Sequence, residues 1–321
     1  MESNIFNVLA GKLGPLAHVR AQGATLAAMA QVALRSVDPR QPRGGLPLAS
    51  FAPGPRLRAL LPPPEPALVR DFVSFLGGEP ADWRGEVPPL LFPQWTFPLL
   101  ARTLAPLPIP AMKLLNGGFR MEVMAPLPAG EALEVEAWLS DIVVEPRKTT
   151  FVQEVVTGTA SSPGAVRVRF FPVLPTRGLA DGAEGAAQTD GLGPMGVALP
   201  PTPPEGVRTI ATLDLPRRAG LDFAALTGDF NPIHWLPPVA RLSGFPNVIL
   251  HGFASFGLAF THLSGVASGG PRRRVRAVSA RFNRPLVLPA RAEVMTDGEG
   301  GLWLGPGPGE KSWMSGRVDF A

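Results

Sequence analysis

Asp229 and His234 lie five residues apart in the stretch from Phe223 to Ala240, FAALTGDFNPIHWLPPVA. A carboxylate beside an imidazole can activate water and move protons near neutral pH. The residues around the pair say how it is held. Phe223 to Leu226 reads as the end of a helix, and Thr227-Gly228 breaks it, because glycine adopts backbone angles that other residues avoid. Pro232 fixes its own φ and biases Asn231 towards extended geometry. Asp229 and His234 are therefore expected on a stiff non-helical loop. Asn231 is expected to bond the loop backbone and keep Asp229 aimed. Gly-Asp or Asn-Pro alone is ordinary turn chemistry; the whole string is far more specific.

The string resembles the motif of the MaoC-like, (R)-specific enoyl-CoA hydratase/dehydratase family. Phe223, Leu226, Thr227, Gly228, Asp229, Asn231, Pro232, Ile233, His234 and Ala240 carry the match. One position departs from it: many members have an acid two residues after the histidine, and this chain has Leu236. The resemblance implies an Asp229/His234 dyad acting on water. The reaction interconverts 2-enoyl and (R)-3-hydroxyacyl thioesters of coenzyme A or an acyl carrier protein, with no metal and no redox cofactor. Such a reaction needs a base for water, a proton for the α-carbon and a donor at the thioester oxygen. Gly252 is the candidate donor. It opens an apolar helix, where backbone N–H groups lack helical partners and the dipole favours negative charge. His251, beside it, reads as a buried histidine at the loop–helix junction with a positioning role. Two other readings stand: a thioesterase on the same fold, and a non-catalytic acyl-thioester binding protein, the latter motivated by Leu236.

Composition narrows the field. The chain has 321 residues, no Cys and no Tyr, which removes disulfides, thiol nucleophiles, Cys-bound zinc and tyrosyl acids. Of four histidines, His18, His234, His251 and His262, His234 lies in the stretch from Phe223 to Ala240 and His251 directly precedes Gly252. His18 reads as solitary, and His262 as structural, near the end of its helix where a cation is favoured. Net charge is +4, with arginines scattered among acids. The one tight run, Arg272-Arg273-Arg274 with Arg276, reads as a solvated strand entrance or a phosphate contact. No nucleic-acid motif accompanies it. No apolar run approaches the ~18 residues of a membrane helix, and the start makes a poor secretory signal. A cytoplasmic protein, monomeric or homodimeric, is expected.

The elements that must position these residues form a repeat. Residues 1–85 read as a partly helical extension, with an irregular Pro39–Pro64 and a short helix over Ala67–Leu76. In residues 86–175 an apolar helix, Leu90–Leu104, precedes strands at Lys113–Met124, Glu131–Leu139, Thr149–Thr157 and Val166–Leu174. Residues 176–206, rich in Gly and Pro, read as a linker. In residues 207–321 an apolar helix, Leu250–Leu263, precedes a strand that echoes the first half: FRMEVMAPLPAGEALEV from Phe119 matches ARFNRPLVLPARAEV from Ala280 in pattern. Phe253, Phe256 and Phe260 are core residues first and pocket lining second. The expected fold is α+β, a double hotdog: two antiparallel sheets, each wrapped around a central helix, with an N-terminal extension. Phe92-Pro93 occupies the place of His251-Gly252 in the first repeat and no matching motif precedes it. One active centre per chain is expected, in the second repeat, with the first supplying part of the acyl pocket.

Overall fold

The computed structural model of the chain describes residues 15–23, 25–27, 47–110, 113–175, 199–268 and 274–321. The first half contains β1 (Leu57–Leu61), α1 (Pro66–Phe75), α2 (Pro93–Leu104), β2 (Leu115–Val123), β3 (Leu133–Glu145), β4 (Lys148–Gly158) and β5 (Val166–Pro175). The second contains β6 (Arg208–Leu215), α3 (Ala219–Thr227), α4 (Pro237–Leu242), α5 (Gly252–Ser268), β7 (Val275–Phe282), β8 (Ala290–Thr296), β9 (Gly301–Gly305) and β10 (Met314–Phe320).

The two sheets expected from the sequence are joined into one ten-stranded antiparallel sheet. Its order is β1-β3-β4-β5-β2-β7-β10-β9-β8-β6. That order is the same read from either end once each strand is replaced by its counterpart: β2 for β7, β5 for β10, β4 for β9, β3 for β8 and β1 for β6. The seam is β2 against β7, where Phe119 lies opposite Ala280. The two stretches whose sequences echo each other are thus paired across the middle of the molecule.

Local pattern explains the elements. In β3, Leu133, Val135, Ala137 and Leu139 are buried while Glu134 and Glu136 face outward, the period-two signature of a half-covered sheet. The helices α2 and α5 pack against the sheet, and one hydrophobic cluster spans both halves. At its centre Phe119 meets Phe253 and Phe256, each at 5.1 Å between ring centroids, and Phe92 meets Phe253 edge-on at 5.1 Å. Aromatic packing of this kind fixes the helices against the seam and so fixes where α5 begins.

Several expectations change. Leu57–Leu61, expected as irregular extension, is β1 and pairs with β3 from Leu57↔Ala137 to Leu61↔Leu133. Its Pro-rich flanks mask a short edge strand. The helix expected from Leu90 is a 3-10 turn at Pro89–Leu91 followed by α2 from Pro93, since Pro93 suits a first helical position. The helix expected to stop at Leu263 runs to Ser268. The expectations for residues before Pro15, for Met29 to Leu34, for Pro39 to Leu46, for the linker from Thr176 to Ala198, and for Arg272 and Arg273 lie outside the described residues. Among the described residues no helix is long and apolar enough to cross a membrane.

Candidate active site

Helix α3 ends at Thr227, and Gly228 caps it in the left-handed region at φ 83°. A Cβ there would be strained and would also meet Thr25 at 2.9 Å. The same helix end is capped by the N-terminal segment: Gln22 Nε2 donates to the carbonyls of Ala225 and Leu226, 3.2 Å each. Those carbonyls have no helical partner of their own. The loop then turns. Asp229 Oδ1 accepts from the Asn231 N–H at 3.4 Å, and Asn231 Oδ1 accepts from the Ile233 N–H at 3.4 Å, capping a 3-10 turn over Pro232–His234. Trp235 Nε1 donates back to the Phe230 carbonyl at 3.1 Å. Gly220 on α3 closes the arrangement, because a Cβ there would strike the His234 carbonyl oxygen. Only a glycine lets this turn of α3 lie against the His234 backbone.

The loop brings Asp229 and His234 together and sets His251 beside them. His234 is buried, and its Nδ1 lies 2.8 Å from the Ile249 carbonyl. A carbonyl accepts only, so Nδ1 carries the proton and Nε2 keeps its lone pair. His251 Nε2 donates to the Asp229 backbone carbonyl at 2.9 Å and lies 3.9 Å from Asp229 Oδ2. Its Nδ1 is buried without a hydrogen-bond partner. The two imidazoles stack at 3.6 Å and 25°, and Phe223 covers His251 at 4.9 Å.

Burial sets the charges. It pushes the Asp229 carboxyl above its ordinary range, opposed by His234 and the Asn231 N–H. It pushes His234 below its ordinary range, opposed by Asp229. His251 is driven well below it by burial and then by His234, against its bond to the Asp229 carbonyl. Both imidazoles are neutral at pH 7. Asp229, His234 and His251 offer ligand atoms within 4.8 Å of one another. Two of the imidazole nitrogens already bond carbonyls, however, and near-parallel rings do not aim their in-plane lone pairs at one point, as a metal ion requires.

These groups open into a cavity of about 260 Å³. Gly252, the first residue of α5, is on its wall, and a Cβ there would meet the Phe282 ring at 2.6 Å. Phe253 also lines it, whereas Phe256 is fully buried and is not part of the lining. The far wall belongs to the first half, with Phe97, Leu100, Leu104, Phe170 and Val173. Leu236 is 37% exposed and is not part of the lining. Arg284, which sequence reasoning missed, lines the cavity. Its guanidinium sits over Trp313 at 5.2 Å, Nη2 donates to the Lys311 carbonyl at 2.5 Å, and Nε is buried without a partner. The signal available in the sequence is its place in Asn283-Arg284-Pro285, directly after β7. His18 is not solitary: its Nε2 lies 2.7 Å from Asp71 Oδ2 on α1. His262 is not at the helix end, and burial pushes it away from the cationic form expected for it.

Known proteins resemble this chain. The MaoC like domain family matches residues 200–301. The chain is 30% identical over 177 residues to the peroxisomal multifunctional enzyme type 2 of Mus musculus, covering 54% of this chain and 22% of that one. It is 31% identical over 177 residues to the 3-hydroxyacyl-thioester dehydratase Y of Mycobacterium tuberculosis, covering 54% and 58%. The match thus spans less than two thirds of either relative. Among solved structures, HtdX of Mycobacterium tuberculosis superposes with a TM-score of 0.64 at 20% identity, covering 83% of this chain and all of that one. A Mycobacterium tuberculosis protein described as having a double hotdog fold superposes at 0.54 and 14% identity, covering 84% and 96%.

Proposed function

From residues 200–301 being a MaoC-like domain set in a double hotdog, we propose that the protein is a hydro-lyase that interconverts 2-enoyl and (R)-3-hydroxyacyl thioesters. One observation carries the reading: Asp229, His234 and the N-terminus of α5 at Gly252 line the same largely apolar cavity.

In the hydration direction, water sits between the Asp229 carboxylate and His234 Nε2. The pair takes one proton from it as its oxygen bonds to the β-carbon. The C2=C3 electrons move towards the thioester, and its carbonyl oxygen becomes an enolate oxygen. The Gly252 N–H, unpaired within the helix and at its positive end, donates to that oxygen. One such donor contributes ~3 kcal/mol in comparable sites. The α-carbon then takes a proton from the dyad, which returns to its starting state; dehydration reverses each step. His251, bonded to the Asp229 carbonyl and stacked on His234, positions the loop. The acyl chain lies against Phe97, Leu100 and Phe170 of the first half. The substrate is a thioester of coenzyme A or of an acyl carrier protein, and no step passes through a metal or redox cofactor.

The test follows absorbance of the conjugated thioester when purified protein meets crotonyl-CoA and a longer 2-enoyl-CoA. Loss of the conjugated signal with wild type and not with Asp229→Asn is expected. Release of free coenzyme A instead would make the protein a thioesterase, and full turnover by Asp229→Asn would remove the dyad.

A further inference from the structure

A second cavity, of about 600 Å³, lies on the opposite side of the β2–β7 seam. It is the counterpart of the catalytic cavity under the same exchange of strands. Where the catalytic cavity uses the start of β2, the end of β7 and the body of α2, the second uses the start of β7, the end of β2 and the body of α5. The loops correspond as well. Helices α1 and α3 both end at a left-handed glycine, Gly77 at φ 79° and Gly228 at φ 83°. Each loop then builds a capped 3-10 turn. In the second half, Asn231 caps Pro232–His234 and Trp235 follows. In the first half, Glu79 caps Pro80–Trp83 by accepting the Ala81 N–H. Glu79-Pro80-Ala81-Asp82-Trp83 thus stands where Asn231-Pro232-Ile233-His234-Trp235 stands.

Each chemical group is absent from this copy. Asp82 takes the place of His234. A single residue, Gly78, separates the left-handed glycine from the capping residue, where Asp229 and Phe230 stand in the catalytic loop. Pro93, which has no N–H to donate, replaces Gly252. The space itself has not been filled: the cavity is larger than the catalytic one. Phe72, Leu76, Met121 and Phe260 give it an apolar floor, and Arg274, Arg276, Glu79 and Glu86 give it donors and acceptors at the rim, with Arg274 Nη2 bonded to Glu86 at 3.3 Å. An apolar floor with a mixed polar rim fits an acyl chain on an amide-bearing pantetheine arm.

We infer that this cavity binds a second acyl thioester without converting it. The ligand class rests on the reaction proposed for the first cavity; the site itself rests on the paired geometry. The experiment titrates octanoyl-CoA, which has no double bond to hydrate, into the full chain in a calorimeter. Two sites per chain are expected. Gly265→Trp, which fills the second cavity from its open side, should reduce this to one while turnover of 2-enoyl-CoA is unchanged; Thr261→Phe, on the same wall, should do the same. One site in wild type, no binding, or two sites remaining in both variants would overturn the inference. Two sites without any turnover by wild type would instead remove the hydratase reading and leave the second site standing.

Discussion

The His234 and His251 imidazoles stack 3.6 Å apart, and each donates a ring N–H to a backbone carbonyl of the site, that of Ile249 and that of Asp229. Two cations at this spacing inside the protein would repel strongly, so at least one ring stays neutral, and burial disfavours charge on either. In the folded chain both rings have pKa values below the ordinary 6.5. As pH falls below about 6.5, the unfolded chain takes up protons that the folded chain refuses. Stability is therefore present above that pH and lost as pH falls towards the folded values. His251→Asn removes one such group. Urea unfolding at pH 7 and pH 5 should show a smaller loss in the variant, by up to ~1.4 kcal/mol per pH unit. Equal losses would mean that His251 does not stay neutral.

Asp229→Asn keeps the side chain's size and removes its charge. A positioned acid–base group contributes about 10²–10⁴-fold, so turnover of crotonyl-CoA should fall by at least about 10² with the circular dichroism spectrum unchanged. In the proposed reaction the active pair is an ionised Asp229 beside a neutral His234. Because burial raises the Asp229 pKa above 3.8, the rate should begin to fall with acid at a pH above the ordinary carboxylate range.

Gly252 has a steric duty beside the donor role proposed for it. Gly252→Ala puts a methyl group 2.6 Å from the Phe282 ring, and overpacking of this kind costs about 1–3 kcal/mol. Adding Phe282→Leu should restore stability in thermal melts. The kcat tells whether the amide is still aimed: recovery of stability without recovery of kcat would place the damage at the donor.

Gln22 ties the N-terminal segment to the loop. Gln22→Ala leaves the Ala225 and Leu226 carbonyls without their donor, at a cost of about 1–3 kcal/mol. Its effect should reach kcat, because the next residues of the chain set Asp229. A drop in melting temperature with unchanged kcat would make the cap purely structural.

Arg284 is expected to bind the polar arm of the thioester through its unpaired Nε. Arg284→Met keeps the stem over Trp313 and removes the donors. KM for 2-enoyl-CoA should rise about tenfold, a loss of ~1.4 kcal/mol, with kcat little changed. Arg284→Lys should recover little, since the planar guanidinium fork is what spans Trp313 and the Lys311 carbonyl. A fall in kcat at constant KM would assign Arg284 to the chemistry instead.

Much of this is legible from local pattern. The loop from Phe223 to His234 announces itself through Gly228, Asn231 and Pro232, whose backbone preferences act within a few residues. The period-two run of β3 and the apolar run of α5 are equally local. What is hidden depends on distant partners. The strand at Leu57–Leu61 is short and Pro-flanked, and only pairing with β3 makes it a strand. Gln22 and Ala225 are 203 residues apart in the chain, so no local pattern announces the cap. His18 finds Asp71 only after α1 has docked. The degenerate loop Glu79–Trp83 shares a proline and a tryptophan with its counterpart, too little to see until both are known to be capped 3-10 turns.

The β2–β7 seam has a consequence for how this protein can change. When a twofold pair is made from identical chains, every substitution appears in both cavities at once. An alteration that improves one and harms the other is then held back. Here the two faces of the seam, at Phe119 and Ala280, are written at separate places in one chain. Each cavity can change on its own account while the packing between them stays shared. One chain can therefore carry Asp229 and His234 on one side and Glu79 and Asp82 on the other, with both spaces open.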